Sequence, residues 1–85
     1  MSPFIPAAER ILKARALIQK ARKLPAPEDL GWGNFEYVAK VKDLLRKAHE
    51  LIQFIPLTSG MPEETKAEAA QVEEEIAQAK RDLLR

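Results

Sequence analysis

At 85 residues, with 46% hydrophobic and 32% charged side chains and a net charge of +1, the chain is too short for two separate cores and too apolar to stay disordered. It has no cysteine, which removes disulfides, thiolate catalysis, zinc-finger chemistry and iron–sulfur ligation. No stretch approaches the roughly 18 consecutive apolar residues of a membrane span, so the expectation is one helical domain in the cytoplasm.

Pro3 and Pro6 restrict the start to extended or turn geometry, and a proline is tolerated at a helix start because its missing N–H has no intrahelical partner there. The first helix is predicted over about 7–24. Ala7, Ile11, Ala14, Ile18 and Ala21 recur at alternating spacings of four and three, with Leu17 and Leu24 widening the same face.

Pro25 and Pro27 end that helix, and 25–33 reads as a connector with one short turn around Glu28 and Asp29. Asn34, after Gly31 and Gly33, suits the N-cap of a second helix over about 34–54. Val38, Val41, Leu45, Ala48, Ile52 and Ile55 form its main row, and Tyr37, Leu44 and Leu51 a second. The two rows are wide enough for two neighbours, which makes this helix the central element.

Pro56 biases Ile55 away from helical geometry, and Thr58, Ser59 and Gly60 complete a turn over 55–61. Pro62 opens a third helix over about 62–84, with Glu63 and Glu64 where the helix dipole favours negative charge. Its stripe is Ala69, Val72, Ile76, Ala79 and Leu83, flanked by a weaker row of Ala70, Ala77 and Leu84. Short connections favour sequential antiparallel packing, so the expected fold is an all-α, three-helix up-down-up bundle. Its competitor is a helical hairpin whose core, with the third helix, is completed by dimerisation.

Charge is unevenly placed. Residues 1–24 hold six basic and one acidic side chain, or +5, whereas 58–85 hold four basic and seven acidic, or −3. Arg15 and Arg22 border the apolar stripe of the first helix, with Lys13, Lys20 and Lys23 on its far side. Glu68, Glu75 and Asp82 recur every seven residues along one edge of the third helix. In an up-down-up bundle these flanks face each other and should pair, each exposed pair contributing about tenths of a kcal/mol. The competing reading uses Lys13, Arg15, Lys20, Arg22 and Lys23 to bind phosphates, but no aromatics are interleaved with them.

Gly31, Trp32 and Gly33 form the most specific local signal, because flanking glycines free the backbone to place an indole. Trp32 with Phe35 either caps the open end of the bundle or anchors a partner. Phe54 projects among Glu36, Asp43, Lys47 and Glu50, away from the core row, and Leu12 sits opposite the main stripe of its helix. Trp32, Phe35, Phe54 and Leu12 are therefore the candidate partner-binding residues.

His49 is the only histidine, and a single imidazole without cysteine makes a poor metal site. Ser2, Thr58, Ser59 and Thr65 have no histidine partner by motif, and no glycine-rich phosphate loop is present. The expectation is a non-catalytic helical interaction module or small assembly subunit, without metal or cofactor, whose partner is another protein or a second copy of itself. The alternatives are a nucleic-acid-associated protein using the first helix, and a ligand-binding or catalytic site formed only between subunits.

Overall fold

The computed structural model describes residues 6–25 and 32–84, with side chains from Phe35 onward in the second stretch. Three helices pack against one another, α1 (Ala7–Lys23), α2 (Trp32–Ile52) and α3 (Glu63–Leu83), with a 3-10 turn at Ile55–Leu57 and no strand among the described residues. The Arg10 guanidinium donates to the Leu51 carbonyl at 3.4 Å, placing the start of α1 beside the end of α2. Arg15 reaches Glu68, and Arg22, seven residues on, reaches Asp82, fourteen residues on, so α1 and α3 run the same way. This is the expected all-α, up-down-up bundle, and α3 completes the core within the same chain.

One cluster forms that core. Ile11, Ala14, Ile18 and Ala21 come from α1; Val41, Leu45, Ala48 and Ile52 come from α2, with Ile55 from the turn; Ala69, Val72, Ile76 and Ala79 come from α3. All of them stood on the three-four rows, which follows from the helix bringing such positions onto one face. Tyr37, Leu44 and Leu51, with Leu17 and Leu24, pack half-buried against this cluster. Val38 and Leu83, toward the helix ends, are also half-buried instead of enclosed.

Local chemistry sets the ends. Pro6 stands just before α1 with extended backbone, and its carbonyl accepts the Arg10 N–H at 3.0 Å. Lys20, Arg22 and Lys23 fill the last turn, where cations suit the helix dipole. Leu24, which precedes Pro25, leaves the helix at ψ 134°, as the clash with a following proline requires.

The second helix starts at Trp32, two residues earlier than Asn34, which lies inside the first turn instead of capping it. Propensity alone fixes such a boundary only to within a residue or two. The expected turn around Glu28 and Asp29, Gly31, and the side chains of Trp32 and Asn34 lie outside the described residues.

Between α2 and α3 the chain forms its 3-10 turn with Pro56 in the opening positions and Ile55 turned into the core. Gly60 then adopts φ +79°, the left-handed region that a side chain disfavours. Pro62 stands immediately before α3, its carbonyl accepting the Lys66 N–H at 3.1 Å, one position outside the helix instead of in its first turn.

Candidate functional surfaces

Among the described residues no polar side chain is buried, and no group of three His, Asp or Glu side chains is placed to hold a metal ion. Among the described residues no helix is long and apolar enough to cross a membrane. The features that remain are three surfaces: the α1–α3 seam, the end of the bundle at the 3-10 turn, and a groove between α2 and α3.

Along the seam Arg15 bridges two carboxylates, Glu68 at 3.1 Å and Glu75 at 3.3 Å, and Arg22 meets Asp82 at 3.1 Å. The heptad spacing of the three acids puts them on one line, and the parallel course of the two helices brings the arginines opposite. Three of the five candidate phosphate-binding cations, Lys13, Arg15 and Arg22, are thus engaged within the chain. Lys13 lies 4.0 Å from Glu9, whereas Lys20 and Lys23 stand exposed on the outer face.

At the turn end, Phe54 is 63% and Leu57 79% exposed. Phe54 borders a small pocket of about 180 Å³ whose walls include Ala7, Leu51, Ile55 and Met61. The Thr58 hydroxyl donates to the Phe54 carbonyl at 2.7 Å and holds the turn in place. Leu57 joins Phe54 here because the 3-10 turn carries it outward; its position in a presumed loop gave no periodic signal to find it by.

The other candidate partner-binding residues lie apart from this patch. Phe35 is 70% exposed near the opposite end of α2, some 19 residues from Phe54, or about 28 Å at 1.5 Å per residue. Leu12 is 68% exposed and is not among the residues that wall the Phe54 pocket. Leu12, Phe35 and Phe54 are therefore three separate exposed positions, and the side chain of Trp32 is outside the described residues.

The third surface was not singled out from the sequence. A groove of about 740 Å³ runs between α2 and α3, with Leu45, Ile76 and Leu84 as its floor and Lys42, Arg46, Lys80 and Arg81 around its rim. Long basic side chains can lay their aliphatic stems along such walls and keep their charges at the mouth. Among the described residues neither Lys42 nor Lys80 has a carboxylate within 4.0 Å. Arg46 is held at the rim by Asp43 at 2.6 Å. Hydrogen bonds from Lys47 and then Arg46 keep the Asp43 carboxyl below its ordinary pKa.

The groove narrows where His49 Nδ1 lies 2.8 Å from Glu73 Oε1, an interhelical contact with the imidazole 46% exposed. A signal for the groove existed in the four-residue spacing of Lys42 and Arg46 and in the adjacent Lys80 and Arg81. In the sequence that signal is outweighed by the +5 of residues 1–24.

Comparison with protein-family models, with curated proteins and with solved structures gave no match.

Proposed function

We propose that this chain is a non-catalytic helical interaction module that docks to another protein through the end of the bundle formed by the 3-10 turn. The observation that carries this reading is the exposure of two large apolar side chains at this end, Phe54 on the wall of a pocket shared with Leu51, Ile55 and Met61, and Leu57 three residues on in the 3-10 turn. Clustered exposed apolar surface with an adjoining pocket is the usual mark of a protein contact, since burying it on binding removes apolar area from water. The fitting partner is a protein segment that inserts an aliphatic or aromatic side chain into the pocket and lays apolar surface over Phe54 and Leu57. The Arg10 side chain at the pocket edge supplies a polar rim.

A photo-crosslinking residue placed at Leu57 in the full chain, with a second placed at Lys20 as a control, tests this. The expected outcome is a discrete protein adduct from position 57 and none from position 20, with the isolated partner binding at least about tenfold more weakly to Phe54→Ser/Leu57→Ser. Unchanged affinity of the double variant, or no adduct specific to position 57, overturns the reading. Far-UV circular dichroism confirms that the variant keeps its helices.

A further inference from the structure

Around the groove-lining Ile76, Lys80, Arg81 and Leu84, α3 carries a charge pattern that is complementary to itself. Glu73 and Glu74 lie on its N-terminal side, Lys80 and Arg81 on its C-terminal side, and Ala77 stands midway. Ala70 and Leu84 extend the same row, seven residues before and after Ala77. Ala77 and Leu84 are half-buried and Ala70 is exposed, so this row lies outside the enclosed core.

When two copies of one helix pack antiparallel about a two-fold axis, the residue a given number of positions before the centre faces the residue the same number after it. With the axis at Ala77, Glu74 faces Lys80 of the second copy and Glu73 faces its Arg81, each pair occurring twice. Ala77 meets Ala77, and Ala70 meets Leu84. A central alanine pair permits the close approach of about 8–10 Å typical of packed helices.

We propose that the α2–α3 groove receives α3 of a second copy of this chain, forming an antiparallel, two-fold-symmetric dimer. The groove supplies the complement on both rims. Lys42 flanks the same stretch of groove as Lys80 and Leu84, so the acidic half of the incoming helix lies between cations of α2 and cations of α3. Among the described residues Lys42 and Lys80 have no carboxylate within 4.0 Å, and Glu74 has no cation within that distance. The small core of a chain of 85 residues adds the incentive, because a fourth helix over the groove buries the remaining edge of the Leu45–Ile76–Leu84 floor. This surface is separate from the Phe54–Leu57 end, and the dimer stands or falls independently of that docking reading.

Sedimentation equilibrium of the full chain at low ionic strength, from about 10 μM to about 1 mM, tests the proposal. The expected result is a mass that climbs from one chain toward two. Glu74→Lys and Lys80→Glu singly each raise the dimer dissociation constant by about tenfold or more, since each converts two attractions into repulsions. Glu74→Lys together with Lys80→Glu restores it to within about threefold of the parent, because the pair is kept with its signs exchanged. Far-UV circular dichroism of each variant at low concentration should match the parent, showing that the monomer still folds.

A chain that stays monomeric throughout overturns the proposal, as does a dimer indifferent to both single reversals or weakened further by the double one. A monomer that instead binds polyglutamate or duplex DNA in a Lys80-dependent manner also overturns it, by assigning the groove to a different anion.

Discussion

The two flanks of α3 face their neighbours with opposite electrostatics, and the bundle is closed on one and open on the other. Toward α1, Glu68, Glu75 and Asp82 meet Arg15 and Arg22 in three ion pairs along the seam. Toward α2, Lys80 and Arg81 meet Lys42 and Arg46, and a groove of about 740 Å³ remains. Like charges across a helix pair oppose close approach, whereas at His49 and Glu73 a 2.8 Å side-chain contact links the two helices. A net charge of only +1 therefore conceals a molecule that pairs charges along the α1–α3 seam and gathers four cations around the α2–α3 groove.

The largest break in this comparison comes from the floor that both sides share. Leu45→Ala removes a side chain with no exposed surface, and the expected loss is about 2–5 kcal/mol of unfolding free energy by urea titration. Leu12→Ala, at an exposed position, should stay within about 0.5 kcal/mol of the parent.

Gly60→Ala tests the connection that sets α3 against α2. Nothing lies within 4 Å of the added methyl group, so the expected loss of about 1 kcal/mol comes from the left-handed backbone alone. A loss near zero would mean that the turn relaxes to another conformation without disturbing the helices.

The seam and the groove separate more finely under Arg15→Ala and Lys80→Ala, each measured at a concentration where the chain is monomeric. Arg15→Ala should cost about 0.5–1 kcal/mol, with the deficit shrinking in high salt, because it leaves two carboxylates facing α1 without their partner. Lys80→Ala should leave stability within about 0.5 kcal/mol of the parent, since it relieves like-charge crowding and breaks no ion pair within the described residues. Equal losses for the two would refute the electrostatic distinction between the flanks.

The smallest effect concerns pH. The Asp43 carboxyl is held below its ordinary pKa by Lys47 and Arg46. Its contribution to stability is therefore present above the unfolded-state carboxylate pKa and lost as pH falls through the lower folded value. Asp43→Asn should flatten the acid limb of the stability profile, as followed by thermal unfolding, and leave the neutral region almost unchanged.

Much of this was legible in the residues. The core rows on all three helices, the stop of α1 before Pro25, and the pairing of Arg15 and Arg22 with a heptad line of acids follow from the 3.6-residue turn acting on local sequence, whereas α2 ends at Ile52, short of the expected 54, and Ile55 enters a 3-10 turn with Pro56. The candidate surfaces were only partly legible. Phe54 and Leu12 were placed on outward faces by projection, whereas Leu57 depended on how the 3-10 turn after Pro56 directs its side chain.

Sequence alone determined which faces of the helices are apolar, because periodicity along one chain is a one-dimensional property. Only the tertiary structure decided what stands across from the other flank of α3. Lys42 and Lys80 lie 38 residues apart, and no local rule reports that two such cations share a groove until the antiparallel packing of α2 and α3 brings them together.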